Sequence, residues 1–408
     1  MGIMNTSTTQ PGAYEIRVEG HLDERWGDWV DGVEIRHDAD GTSTLTAQLA
    51  DQPALHGVLG RMRDLGIPVV SVCRIDENGD ASALMRAAAQ YRYGDPMEVI
   101  EVRNIERPTV GADEVLVRVH AAGVDAGVWH LVSGQPYLLR TMGFGFRRPK
   151  NPVAGMDVAG TVEAVGSAVT RFRPGDEVFG CADGSFAEYA TAKEAKLALK
   201  PANLTFEQAA AVPNSAAAAL MALREVGRVQ AGDRVLVIGA SGGVGTYAVQ
   251  IAKALGAHVT GVASTAKLDL VRAVGADEVI DYTREEIDAR PGAYDLILDI
   301  GGNRSLSQLR RALTADGRLV IVGGEGGGKW FGGINRQLRA TILSRFVSQD
   351  LRFFFSQVDV DDLEALTELI EAGAVTPAID RAFTLDEAAE AVRYQHAGQA
   401  RGKVVITL

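Results

Sequence analysis

Cysteine is scarce in this chain: Cys73 and Cys181 are the only two among 408 residues. Standing so far apart, they make neither a disulfide framework nor a zinc-binding pair. The seven histidines are scattered, with no His-x-x-x-His and no Cys-x-x-Cys. Basic residues are also in deficit, 41 Lys and Arg against 53 Asp and Glu, for a net charge of −12. Such a surface repels polyanions, which excludes nucleic acid and anionic membrane as main partners. No stretch approaches the roughly 20 unbroken apolar residues needed to cross a bilayer. The opening MGIMNTSTTQPG has neither the basic nor the apolar region of a secretory signal. A cytoplasmic protein that handles small molecules is therefore expected.

With 46% hydrophobic and 23% charged residues the composition is that of a globular protein. Single cores stop growing at roughly 250 to 300 residues, so several units are expected. Residues 1–84 carry a pattern of their own. AYEIRVEG alternates like a strand, LDERWGDWV has helical spacing, and VEIRH and TSTLTAQLA flank the turn DADG like a hairpin. DQPALHGVLGRMRDLG then reads as a helix with an Asp N-cap and a closing Gly66, followed by the strand IPVVSVCRI. That order, βαββαβ, predicts a small α+β, ferredoxin-like module. It holds 14 Asp or Glu against 6 Arg and no Lys, so −8 of the total −12 lies here. It reads either as a solvated module for solubility and assembly or as a docking arm for a protein partner.

DENGDAS, residues 76–82, is a polar linker. From 85 to 208 the pattern is short strands and turns, as in EVLVRVHAAGV and DVAGTVEAVG. From 209 to 345 it becomes strand, helix, strand, helix, the rhythm of a doubly wound parallel sheet. The segment 346–408 closes on the strand GKVVITL.

The most informative stretch is VLVIGASGGVG, residues 235–245, an apolar strand running into a glycine turn and then the helical TYAVQIAKAL. Strand, glycine turn and helix together form a dinucleotide-binding context, in which helix-start N–H groups face a pyrophosphate. The match is A-x-G-x-x-G, with Ala240, Ser241, Gly242, Gly243, Val244 and Gly245 in the turn. Gly242 admits the phosphates and Gly245 lets helix and strand pack closely. The next strand, HVTGVA, runs into Ser264, Thr265 and Lys267, with no carboxylate where an NAD site usually has one for the ribose 2′-hydroxyl. Hydroxyls and an ammonium fit a 2′-phosphate instead, so NADPH is the expected cofactor, with nearby Asp269 as the opposing feature. Tyr282 closing EVIDY, Gly301 after YDLILDI, and Gly323 and Gly324 after GRLVIV stand at strand ends, where ligands of such sheets bind.

Several motifs in collinear order, AAGVDAGVWHLVSG, NPVAGMDVAGTVEAVG, RFRPGDEVFG, GASGGVG and ARGKVVI, resemble the zinc-independent, quinone-oxidoreductase-like branch of the medium-chain dehydrogenase/reductase superfamily. The resemblance covers residues 85–408 and leaves 1–84 outside. It implies a GroES-like catalytic domain, a Rossmann domain, a C-terminal return to the first domain, a cleft between them, and a homodimer. Zinc-bearing relatives have a cysteine where this chain has Asp125 and a His-Glu pair where it has Met156 and Asp157. Catalytic zinc needs three protein ligands, which Asp157 alone cannot supply, so no metal is expected.

Without a Lewis acid, hydride chemistry falls to acceptors that need none: quinones and α,β-unsaturated carbonyls. The resemblance places His130 and Tyr137 near the nicotinamide as candidate donors to the carbonyl oxygen, the alternative for each ring being simple packing against the pocket wall. Asp125 stands where the family usually has asparagine, and an ionised carboxylate there only accepts hydrogen bonds. Lys403, in the closing motif, is a candidate for a cofactor phosphate, and Phe353, Phe354 and Phe355 for an aromatic pocket wall. Two alternatives stay open. One is a reductase of enoyl thioesters on CoA or a carrier, with RRPK at 147–150 as a basic entrance; the other is an NADPH-binding sensor or scaffold with little turnover.

Overall fold

In the computed structural model, residues 12–20, 22, 33–37, 41–49, 52–75, 84–138, 140–141, 145–302, 304–323 and 328–408 are described. The chain divides into two units, residues 1–85 with 104–107, and residues 86–103 with 108–408.

The first unit is built on an antiparallel sheet of four strands in the order Glu34–His37, Thr42–Leu49, Gly12–Glu19, Val69–Ile75. Its strands alternate as period-two patterning requires: Ile16 and Val18 point inward, Ile16 pairs with Leu45, and both are fully buried. Helix Gln52–Asp64 covers that face through Val58 and Met62. It ends at Gly66, whose φ of +71° lets the Ile67 N–H turn back to the Met62 carbonyl at 2.9 Å. This strand order is that of a ferredoxin-like sheet. The first expected helix (residues 23–30 of it), the Asp51 cap and the 76–82 linker lie outside the described residues.

In the second unit a mostly antiparallel sheet runs in the order Leu197–Leu199, Glu177–Cys181, Asp157–Val165, Glu114–Val124, Lys403–Thr407, Ile379–Thr384, the last two strands being parallel to each other, with Tyr189–Lys193 also paired to Glu114–Val124. This is the GroES-like part. A parallel sheet runs Glu278–Asp281, His258–Ala263, Arg234–Ile238, Tyr294–Asp299, Leu313–Ile321, Asp350–Phe353, which in chain order is 3-2-1-4-5-6, the order of a Rossmann domain. Its central strands are apolar on both faces because helices cover both: Val235, Leu236 and Val237 have no exposed surface. Two points refine the expected boundaries. The sixth parallel strand, Asp350–Phe353, lies past residue 345, and the chain re-enters the antiparallel sheet only at Ile379. There the last strand pairs with Glu114–Val124, Val404 opposite Val124, so the chain's end carries residues 402 and 403 to the glycine turn at 239–245.

Candidate active site

Strand Arg234–Ile238 breaks at Gly239, whose φ of +86° starts the turn. Helix Gly243–Ala254 begins after Gly242, and no side chain caps it. Its first N–H groups are therefore left for another partner. A cavity of about 870 Å³ opens over this helix start and along the carboxyl ends of the parallel strands. The four turn residues Ser241, Gly242, Gly243 and Val244 line it, whereas Ala240 and Gly245 do not. Ala240 is fully buried and donates its N–H to the Val262 carbonyl at 3.1 Å. A Cβ on Gly245 would lie 2.1 Å from the Gly239 carbonyl oxygen, so glycine there is demanded by helix-to-turn packing. A Cβ on Gly242 would meet only that same oxygen, at 3.5 Å. The protein's own packing thus does not require glycine at 242, and its lack of a side chain leaves the helix start open to an anion. An uncapped helix start under an open cavity fits a pyrophosphate.

Ser264, Lys267 and Tyr282 line the cavity wall. Lys267 Nζ donates to the carbonyls of Gly398 and Ala400, each at 2.7 Å, leaving a further donor for the cavity. Burial pulls its ammonium below the usual lysine range. Thr265 turns away: its hydroxyl bonds Asp281 Oδ2 at 2.5 Å and Thr283 Oγ1 at 3.1 Å. Asp269 is 93% exposed and pairs with Arg272, so it does not reach the cavity. Arg304, overlooked in the sequence, also lines the cavity, with its guanidinium 5.9 Å from the Tyr282 ring and bonded to Glu286 at 3.2 Å. Its only sequence signal is its place in the loop after the fourth strand.

Asp125 and His130 line the same cavity. Asp125 caps helix Ala126–Ser133, its Oδ1 accepting from the Val128 N–H at 3.3 Å, while its buried Oδ2 has no partner among the described residues. His130 Nδ1 donates to the Gln135 carbonyl at 2.7 Å. The proton on the neutral ring therefore sits on Nδ1, and Nε2 is left as an acceptor. Tyr137 does not line the cavity; its ring packs edge-on to Trp330 at 5.3 Å with the Arg140 guanidinium 4.6 Å away. Gly301 and Gly323 do line it, but a Cβ on Gly323 would strike the Ile300 carbonyl at 2.1 Å, a packing reason for that glycine. Gly324 lies outside the described residues. Phe353, Phe354 and Phe355 are not in the cavity wall: Phe354 packs on the main core and Phe355 is exposed. Lys150 of RRPK lines a separate cavity of about 470 Å³.

Beneath the turn lies a buried polar cluster. Lys403 is 1% exposed, and its Nζ donates to Ser215 Oγ at 2.9 Å and faces Asp157 Oδ2 at 3.5 Å. Both Lys403 and Ser215 line the cavity. Asp157 Oδ1 accepts from the Asn214 backbone N–H at 3.2 Å, from the Asn214 side-chain amide, and from the Cys181 thiol at 3.8 Å. Burial pushes the Asp157 carboxyl up to about 7; Asp125 adds to the rise and Lys403 opposes it. Burial likewise pushes the Cys181 thiol up. No group of three His, Cys, Asp or Glu side chains suited to a metal occurs among the described residues.

Two sequence families align within the second unit, "Alcohol dehydrogenase GroES-like domain" over residues 111–202 and "Zinc-binding dehydrogenase" over 274–406. Residues 13–73 match a domain of unknown function, DUF8691. NAD(P)H oxidoreductase RTN4IP1, mitochondrial, of Mus musculus is 32% identical over 376 residues, covering 80% of this chain and 90% of its own length. The quinone oxidoreductase of Sus scrofa is 32% identical over 338 residues, covering 80% of this chain and 98% of its own. The solved structure of the quinone oxidoreductase from Coxiella burnetii superposes with a TM-score of 0.70 at 27% identity, over 80% of this chain and 100% of that one.

Proposed function

Since the chain belongs to the zinc-independent, quinone-oxidoreductase-like branch of the medium-chain dehydrogenases/reductases and is a nicotinamide-dependent oxidoreductase, we propose that it reduces quinones or α,β-unsaturated carbonyls with NADPH. One observation carries the cofactor choice. Lys267 and Arg304 bring two cations to the cavity wall, Arg304 beside Tyr282, and Asp125 is the one carboxylate among the described residues of the lining. The two cations stabilise a 2′-phosphate by charge-assisted hydrogen bonds, whereas a bare 2′-hydroxyl carries no charge for them to pair with. When bound, the reduced nicotinamide supplies a hydride, and a conjugated acceptor then takes a proton.

The chain's share is binding, orientation and proton handling. Gly242 and the uncapped start of helix Gly243–Ala254 receive phosphate. Ile300 and Val322 give the cavity apolar walls beyond the turn. His130, its Nδ1–H held by the Gln135 carbonyl, carries any second proton on Nε2 and in that form donates to a carbonyl oxygen. Asp125 Oδ2 accepts from a donor on the ligand. A homodimer is part of the same proposal: the parallel sheet ends on Asp350–Phe353, a strand with one open edge among the described residues.

The test follows cofactor oxidation at 340 nm with a panel of quinones and enals, using NADPH and NADH. Turnover faster with NADPH is expected. Tight NADPH binding without turnover on any acceptor would reject the enzyme reading in favour of a nucleotide sensor. In the same assay Lys267→Ala should raise the KM for NADPH about tenfold or more and that for NADH little. Equal losses would mean that Lys267 serves only to hold the Gly398–Ala400 wall.

A further inference from the structure

Ser215 entered no expectation from the sequence, and it is placed for a specific task. It stands in the first turn of helix Pro213–Met221, 3% exposed, in the cavity wall. An ammonium has donors and no acceptor, so in the 2.9 Å contact with Lys403 the Ser215 oxygen must be the acceptor. Lys403 cannot swing away, because Asp157 faces it from behind and the residue is almost fully buried. The Ser215 O–H is thereby turned from the lysine, and it has no protein acceptor among the described residues. A hydroxyl that has given its lone pair to a cation is also a stronger donor.

The position says what it donates to. A Cβ built on Gly243, the first residue of helix Gly243–Ala254, would lie 3.2 Å from Ser215 Oγ and 3.0 Å from Lys403 Cδ. The hydroxyl therefore sits beside the uncapped start of that helix, in the wall of the same cavity. We propose that Ser215 is a ligand-binding residue whose hydroxyl donates to a pyrophosphate oxygen of the dinucleotide, with Lys403 as the positioning residue that aims it and Asp157 as the anchor of Lys403. This rests on the dinucleotide reading above.

The test is calorimetric titration of the full-length protein and its Ser215→Ala variant with NADP⁺ and with 2′-AMP, which keeps the 2′-phosphate and lacks the pyrophosphate. The expected result is a loss of about tenfold to a hundredfold in NADP⁺ affinity, the range for a hydrogen bond to a charged group, with 2′-AMP affinity unchanged. Ser215→Thr, which keeps the hydroxyl, should recover most of the loss. Unchanged NADP⁺ affinity in Ser215→Ala would overturn the assignment. So would an equal loss for both ligands, which would mark a merely structural role. If the unaltered protein binds neither ligand, the dinucleotide reading itself fails, a result distinct from either.

Discussion

Asp157 shows how one buried group ties stability to pH. Its carboxyl titrates near 7 inside the protein, against an ordinary value near 3.8. Between those values the folded chain holds a proton that the unfolded chain has released. Stability from this group is thus fully present below about 4 and is lost as pH rises toward 7. Replacing Asp157 by Asn abolishes the titration, so the urea midpoint of the variant should decline less between pH 5 and 7.5 than that of the unaltered protein. Parallel profiles would contradict the burial argument. At the same level, the sequence could show that Lys403 lies in a closing strand and that Asp157 replaces a metal ligand. It could not show that the two face each other across a chain separation far longer than any motif.

The turn between strand Arg234–Ile238 and helix Gly243–Ala254 separates two uses of glycine. Gly245 is required because a Cβ there would lie 2.1 Å from the Gly239 carbonyl oxygen, whereas a Cβ on Gly242 would meet only that oxygen, at 3.5 Å, so the protein's own packing does not require glycine at 242. Gly245→Val should cost about 1–3 kcal/mol or more of stability by overpacking. Gly242→Ala, with an extended φ of −88° and ψ of 178°, should fold with unchanged stability and lose most dinucleotide affinity. Chemical denaturation and NADPH titration on the two variants check this; equal damage to stability in both would show that Gly242 is structural as well. This element was readable in advance because strand, turn and helix are contiguous and their patterning is local. The adjoining segment was misread in part. Thr265 bonds Asp281 rather than facing the cavity, since an Asp at the end of a neighbouring parallel strand is brought beside it by sheet register.

The Sus scrofa quinone oxidoreductase aligns over 98% of its own length with 80% of this chain, and the two dehydrogenase families fall on residues 111–202 and 274–406, both within the second unit. The first unit has its own core around Ile16, Leu45 and Met62. Deleting residues 1–84 should therefore leave a soluble reductase whose kcat with the best quinone or enal stays within about twofold. An inactive or insoluble product would assign the module to the fold or the site. No helix among the described residues is long and apolar enough to cross a membrane.

Local order in the chain was enough to derive much of this protein. Period-two alternation in Gly12–Glu19 and Thr42–Leu49, the unbroken apolar strands, and the glycine turn each depend on residues within a few positions of one another, and so did the choice of Ser264, Thr265 and Lys267 for a 2′-phosphate, of which Ser264 and Lys267 line the cavity. Folding settled which side chains share the cavity. The last strand pairs with Glu114–Val124 and carries Lys403 onto Ser215, 188 residues earlier. The loop after the fourth parallel strand brings Arg304 beside Tyr282, while Tyr137 is drawn off to Trp330. Such contacts are set by sheet order and by the burial of charge, which act between segments distant in the chain and leave no periodic trace along it.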